Sequence, residues 1–188
     1  MSARTFSGGF CIMKKTNRRS YVYTLAAAGL LAAMNVILGK FFQISPTEYL
    51  RFSIGALPVI LGGVAFGPAV GGAVGLVGDL LGCLMASMAI NPIIAVGSAA
   101  VGVVSGFFRM KEGKAPGYLY LLLASLAAHF VGSVIIKSIG MYVYYSTPPA
   151  VLAIRIPVAV VNAFIESLIL KAVLSRRELR ALFVRGGR

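Results

Sequence analysis

Several ionisable side chains stand inside long apolar stretches of this sequence, where a charge costs several kcal/mol unless it faces protein or water. Asp79 lies midway along one stretch, and His129 and Lys137 share another with Ser133 between them. In a helix, residues eight apart lie within about 80° of each other, so His129 and Lys137 would share a face. Each group is a candidate for ligand or proton chemistry. A structural ion pair for Asp79 and simple packing for His129 are the alternatives.

A second set of polar residues follows near the C-terminus. Arg155, Asn162 and Glu166 fall within about 40° of one another on a helix. Arg155 lies toward one end of its apolar stretch and Glu166 toward the other. For Glu166 a structural pair is favoured over a functional role, with Lys171 as a partner at the less favourable i, i+5 spacing.

The elements that hold these residues are predicted from runs of about 20 apolar residues, the length that spans a bilayer as a helix. Six candidates occur, at about Tyr21–Gly39, Ile54–Phe66, Ala69–Met88, Pro92–Phe108, Tyr118–Tyr144 and Val151–Leu174. The second is too short to cross alone, and short or Gly/Pro-interrupted spans often border a substrate cavity. A tilted, half-buried helix without function is the alternative for this span. We predict an all-α membrane protein with six transmembrane helices in a compact bundle.

The basic residues predict the orientation of this bundle. The net charge is +13, and most of the 18 Lys and Arg residues fall in three short segments, at Arg4–Arg19, Arg109–Lys114 and Arg176–Arg188. Six spans place these three segments on one side, and basic loops mark the cytoplasm. The tyrosines agree, because they lie near predicted span ends or in an outer loop, as interfacial rings do. We expect a cell-membrane protein with both termini in the cytoplasm.

Four cations are left on the opposite, outward side. Lys40, Arg51, Lys137 and Arg155 face only one acid there, Glu48. Together they form an electropositive vestibule that should attract an anion, and the planar fork of arginine suits carboxylates. Anchoring at the membrane interface explains any one of these residues, but it explains the cluster less well.

Small residues recur at helical spacing on several spans. Gly71, Gly75, Gly78 and Gly82 form a stripe on the third span, and Ser98, Gly102 and Gly106 repeat the spacing on the fourth. Such faces let helices approach closely, so we predict internal packing there. Ala28 and Ala32 form a similar face on the first span, and this one suits either internal packing or a separate membrane partner.

Composition excludes other classes of protein. A soluble nucleic-acid-binding protein would not carry 59% apolar residues, and a mean hydropathy of +0.89 fits a membrane domain. Phosphate-binding loops and zinc motifs are absent from the sequence, and one histidine with two cysteines makes metal catalysis improbable. We expect no enzyme, cofactor or metal. The predicted organisation is a basic tail over 1–20, a membrane domain over 21–174 and a basic tail over 175–188. Met13 is a second candidate start, which would leave 1–12 outside the native chain.

Three runs carry a family resemblance. Leu50–Pro58 (LRFSIGALP), Gly62–Pro68 (GGVAFGP) and Gly78–Gly82 (GDLLG) resemble the substrate-binding (S) components of energy-coupling factor (ECF) vitamin transporters. Ala28-x-x-x-Ala32 followed by Met34–Leu38, and Arg155-Ile156-Pro157, are similar to the same family. The resemblance covers Arg19 to Leu174. Its runs look most like the folate-type members, with the pantothenate type next, although Met85–Pro92 differs from the Phe-Pro-Gly-rich loop of the folate type.

The resemblance implies a vitamin-capture subunit for a folate-like anion. It implies partners as well, a membrane coupling (T) protein and two cytoplasmic ATPases, with the face of Ala28 and Ala32 on the coupling protein. We expect Arg51, Arg155 and Lys137 to bind ligand carboxylates, and Asn91 and Asp79 to hydrogen-bond a ring or amide. Phe52 and Tyr144 are expected to stack on the ligand.

Two functions of other classes stay open at this point. One is a stand-alone secondary carrier in which Asp79, His129 and Glu166 relay protons along an ion gradient. The other is a membrane scaffold that binds no ligand. Coupling to a pH gradient without ATPases would indicate the carrier, and the absence of any vitamin binding would indicate the scaffold.

Overall fold

The computed structural model describes residues 18–41, 43–47, 50–86, 90–110, 116–148 and 153–176 of the 188. Most of the basic residues that predict the orientation, and most of the two predicted tails, fall outside these ranges. The side of the membrane on which the termini lie therefore stays a prediction.

Seven α-helices and one π-helical segment make up the membrane domain of the described chain. They are α1 (Arg18–Phe41), α2 (Ala56–Phe66), α3 (Pro68–Met85), α4 (Pro92–Phe107), α5 (Tyr118–Ala128), the π segment (His129–Ile136), α6 (Lys137–Tyr145) and α7 (Arg155–Ser175). α5, the π segment and α6 form one span of 28 residues. That span, α1, α3 and α7 are long and apolar enough to cross a membrane, and α2 and α4 are shorter apolar helices. The prediction of six helical elements, the second of them short, is confirmed.

A two-stranded hairpin separates α1 from α2, and this departs from the all-α prediction. β1 (Gln43–Thr47) pairs antiparallel with β2 (Leu50–Ser53). The register is irregular between Ile44 and Thr47, the stretch that contains Pro46. Proline has no N–H to donate to a ladder, so it is found at strand edges and irregularities. The bundle itself is helical.

α2 is the centre of the bundle. Every residue from Leu57 to Phe66 is buried, so this helix is enclosed on all sides by protein. A helix that is apolar all round belongs in an interior, and α2 needs no membrane-spanning length there. Gly67 ends it with φ 101°, which an L side chain rarely adopts, and Pro68 begins α3 with its preset φ.

Glycine contacts join α2, α3 and α4 backbone to backbone. A methyl group on Gly102 would collide with the carbonyl of Gly71, and one on Gly75 would collide with the carbonyl of Ser98. The predicted packing role of these stripes is confirmed. Gly82 is the exception, because nothing lies within 4 Å of where its Cβ would be.

The outer surface of the bundle is apolar. Leu25, Leu84, Phe107 and Leu168 are among many large apolar side chains that are mostly exposed. Such a surface is rare on a soluble monomer and suits lipid. The end of the bundle where α1 leads into β1 and α2 begins is called the hairpin end below. The starts of α4 and α7 lie at the same end.

Candidate ligand-binding cavity

A cavity of about 680 Å³ opens inside the bundle toward the hairpin end. α1, α2, α3, α4, the π segment, α6 and α7 all contribute to its wall. Its polar lining includes amides, hydroxyls and charged groups rather than an apolar surface alone. Gly55, Ala56 and Val59, at and just before the first turn of α2, belong to it, so the short second helix borders a cavity as predicted.

Three cations of the described residues line this cavity. Lys40 comes from the last turn of α1, Lys137 from the start of α6 and Arg155 from the start of α7. The Arg155 guanidinium contacts the sulfur of Met141, which lines the cavity too. The structure therefore brings together the predicted residues Lys137 and Arg155. Arg51 lies in β2, but its side chain is outside the described part of the chain.

Asp79 is the acidic residue of the wall. It is half-buried on α3, and its Oδ1 accepts a hydrogen bond from the hydroxyl of Ser98 on α4 at 2.8 Å. Ser98 lines the cavity as well. A carboxylate can only accept hydrogen bonds, so this corner of the cavity is suited to a ligand that donates them.

Asn91, at the start of α4, supplies a donor. Its Oδ1 caps α4 by accepting from the backbone N–H groups of Ile93 at 3.0 Å and Ile94 at 3.3 Å. Asn91 is only 5% exposed, and its buried Nδ2 has no hydrogen-bond partner among the described residues. An unmet buried donor costs about 1–3 kcal/mol. Because Asn91 lines the cavity, a ligand acceptor would remove this cost.

The floor of the cavity is formed by the π segment. His129 lines the cavity, its Nε2 lies 2.6 Å from Glu166 Oε2 on α7, and its Nδ1 lies 3.3 Å from the hydroxyl of Ser133. The expected pairing of Glu166 with Lys171 is wrong. Lys171 instead lies over the ring of Tyr118, 5.6 Å from its centroid. The i, i+5 spacing points the two α7 side chains to different faces, and Glu166 faces the interior.

The predicted stacking residues do not reach the described cavity. Tyr144 is 55% exposed and does not line it, whereas the next residue, Tyr145, does. Neighbouring residues of a helix point about 100° apart, so a shift of one position moves a ring from the cavity to the outer surface. Phe52 lies in β2, and its side chain is outside the described residues.

The predicted partner residues on α1 face mainly inward. Ala32 is 3% exposed and belongs to the hydrophobic core, and Ala28 is half-buried against it. Gly29 and Ala33, on the adjoining face, are exposed, and no atom lies within 4 Å of where a Gly29 Cβ would be. The small-residue surface open to a partner is thus turned by one position from the predicted pair.

Two amide side chains line the cavity but are not among the predicted ligand-binding residues. Asn35 on α1 lies against Gly78 of α3, where a Cβ would collide with its amide nitrogen, and Asn162 on α7 is buried. Both are amides within apolar helices, which is the same signal that identified Asp79. Asn162 also shares the helix face of Arg155.

The comparisons with known proteins show a family and a fold. The family model of the ECF-type riboflavin transporter S component matches residues 19–177. No curated protein sequence matches the chain. One similar solved structure is FolT bound with folic acid, 24% identical, with a TM-score of 0.66 over 78% of this chain and 89% of that one. Another is an S component of a bacterial ECF transporter, 21% identical, with a TM-score of 0.62 over 82% and 94%. At these identities the two structures support the fold alone.

Proposed function

The chain belongs to the ECF-type riboflavin transporter S component family, and from this premise we propose that it captures a folate-like vitamin at the outer face of a bacterial cell membrane. S components are substrate-binding subunits of transporters and not enzymes. They bind a vitamin and work with a membrane T protein and ATPase modules. The proposed identity of the vitamin rests on the residues that line the cavity.

The charge of the cavity supports an anionic ligand. Among the described residues, Lys40, Lys137 and Arg155 line it together with one carboxylate, Asp79. Lys137 is half-buried within a membrane span, where a cation is costly unless a counter-charge meets it. A vitamin that carries two carboxylates, as folate does, supplies that counter-charge. This excess of lining cations is the observation that carries the proposal.

The polar groups of the wall support a heterocycle with mixed donors and acceptors. Asp79 accepts, and the unmet Nδ2 of Asn91 donates. The pterin ring of folate has an amino group and an N–H to donate and a carbonyl to accept. This ligand class is compatible with the fold, which FolT bound with folic acid shares.

Riboflavin is the second candidate, because the matching family model carries its name. Its ring has a similar N–H and carbonyl edge, but the vitamin has no carboxylate to meet the three lining cations. Pantothenate has one carboxylate and no ring, so it would leave Asp79 without a heterocycle to bind. Folate has partners for more of the polar groups that line the cavity than riboflavin or pantothenate has.

The orientation follows the basic segments. With the termini in the cytoplasm, the hairpin end and its cavity face outward, toward the vitamin. The T protein would then bind along α1. We place this contact on the exposed face of Gly29 and Ala33 beside Ala28, since Ala32 is buried.

A stand-alone proton carrier receives less support. It requires Asp79, His129 and Glu166 to relay protons, yet Asp79 bonds to Ser98 while His129 and Glu166 pair with each other. Within the described residues the three acids and bases do not form one hydrogen-bonded chain.

Isothermal titration of the purified protein in detergent with folate, riboflavin and pantothenate tests the proposal. We expect folate to bind most tightly. A tighter complex with riboflavin would replace the folate assignment, and the absence of binding to any water-soluble vitamin would overturn the capture function itself.

A further inference from the structure

The chain contains a single histidine, and the structure places it at the floor of the cavity between two other polar side chains. His129 is the first residue of the π segment and Ser133 follows within it. π-helical turns within α-helical spans are frequent at functional sites. Glu166 reaches the same ring from α7, so two separate elements fix the imidazole.

Glu166 does not line the cavity, but it contacts a residue that does. It is fully buried, its Oε2 contacts His129, and its Oε1 has no partner among the described residues. A buried carboxylate costs several kcal/mol even when it is paired. With Glu166 ionised, the carboxylate can only accept, which puts a hydrogen on Nε2 of His129. Glu166 thereby leaves Nδ1 of the neutral ring as the acceptor that faces Ser133, as outer partners of functional histidines do.

This arrangement makes the hydroxyl of Ser133 depend on the charge of the ring. With neutral His129, Nδ1 is an acceptor, so Ser133 donates to it and turns its lone pairs toward the cavity. With protonated His129, Nδ1–H donates to Ser133, and the hydroxyl hydrogen is released toward the cavity. One proton therefore changes this part of the floor from an acceptor to a donor.

We propose that Glu166 is a positioning residue for His129, and that the His129 proton sets whether Ser133 accepts from or donates to the vitamin. The inference rests on the proposed function, because it assigns a role to the same cavity. The ligand group that it fits is the edge of a heteroaromatic ring where an N–H stands beside a carbonyl or ring nitrogen. A ligand that prefers one form of the floor takes up or releases a proton when it binds.

Other ionisable groups lie around the cavity, and proton exchange by these groups has to be distinguished from proton exchange by His129. Of the helices packed on the π segment, α4 carries no ionisable side chain, and those of α5 are in its first turn, far from His129 along the span. The remaining groups that line the cavity are Lys137 and Tyr145 on α6, Arg155 on α7, Asp79 and Cys83 on α3, and Lys40 on α1. His129 is the ionisable group that contacts the hydroxyl of Ser133. Asp79 is the acid that has to be tested beside it.

Nuclear magnetic resonance of ¹⁵N-histidine-labelled protein tests the positioning role without any ligand. Because there is one histidine, the spectrum reports one ring. We expect the neutral ring of the wild type to carry its hydrogen on Nε2, and Glu166→Ala to lose this preference. A neutral ring with its hydrogen on Nδ1 would overturn the role of Glu166, and so would an Ala variant with an unchanged spectrum. Glu166→Gln, which keeps the volume and an acceptor oxygen, should retain the wild-type tautomer.

Calorimetric titration in buffers of different ionisation enthalpy counts the protons exchanged on binding. We expect a nonzero number for the wild type, and a number near zero for His129→Gln. Ser133→Ala should lower it, while Lys171→Met, at a residue that does not line the cavity, should leave it equal to that of the wild type. Loss of the exchange in Asp79→Asn but not in His129→Gln would assign the proton to Asp79 and overturn the inference. Binding without proton exchange in the wild type would sink the inference but leave the capture function standing. The absence of all vitamin binding would overturn the capture function and, with it, the ligand part of this inference, whereas the histidine spectrum still decides the role of Glu166.

Discussion

Replacing Lys137 by methionine should weaken the binding of folate selectively. The Lys137 stem lies against α4, where a Cβ on Gly97 would be 2.6 Å from its Cγ. This close contact restricts the rotamers of the chain, so less entropy is lost when the ammonium meets a ligand carboxylate. Truncating one partner of a buried charge pair costs about 2–5 kcal/mol. Since Lys40 and Arg155 share the cavity, we expect the lower part of that range, about 30- to 150-fold in Kd.

Calorimetric titration of wild-type and Lys137→Met protein with two ligands measures this loss. One ligand is folate, and the other is folate with both glutamate carboxylates converted to amides. The loss should appear with folate and be nearly absent with the diamide. Lys171→Met is the matched control, because it makes the same chemical change at a lysine that lies over Tyr118, away from the cavity. Its affinity should equal that of the wild type.

The reasoning would be refuted by Lys137→Met protein that binds folate as tightly as the wild type. It would be refuted equally by a loss of the same size with folate and with the diamide. The second result would mean that Lys137 shapes the cavity but does not meet a carboxylate. Size-exclusion profiles of the variants, matched to the wild type, exclude misfolding as the cause.

Four further outcomes are expected. Asn91→Ser keeps a cap on α4 but removes the amide donor, so thermal stability should hold while ligand affinity falls by about tenfold in titration, and unchanged affinity would remove Asn91 from the site. Gly102→Ala forces a methyl into the α3 backbone and should lower the stability by about 1–3 kcal/mol, seen as a lower Tm; an unchanged Tm would contradict the close packing. Gly29→Trp should block vitamin uptake in vesicles with the T protein and ATPases yet spare binding, whereas Ala32→Trp should destabilise the fold; the reverse pattern would return the partner surface to the predicted face. Cys83 lines the cavity, so vitamin should slow its alkylation in a background lacking the second cysteine, and equal rates would place the ligand elsewhere.

Much of the helical architecture could be predicted from the sequence because long apolar runs have few other physical solutions. The wall residues Asp79, Lys137 and Arg155 could be predicted for the same reason, since charges in such runs must face protein or water. Asn91 was found through the resemblance, and its capping geometry needed the structure.

Features that depend on the rotation of a helix or on contacts between helices could not be predicted. The π segment changes the winding within one span, so the 100° rule that was used for His129 does not hold along it. The partner of Glu166 lies 37 residues away in the sequence, and no spacing rule reaches that far. Tyr144 does not line the cavity and Ala32 is buried, whereas the next residues, Tyr145 and Ala33, lie on the expected surfaces. The apolar pattern of a span predicts its existence and not its rotation when lipid and core are equally apolar.

The volume of the cavity follows from the length of a helix. α2 has 11 residues, or about 16 Å, in a layer about 30 Å thick, so about 14 Å of helical cylinder is missing above Ala56. At a diameter of about 10 Å that space is on the order of 1,000 Å³, comparable with the cavity of about 680 Å³. The vitamin would occupy the volume that a longer α2 would fill. One more turn at the start of α2 would take up about 400 Å³, so the point where α2 begins sets an upper limit on ligand size.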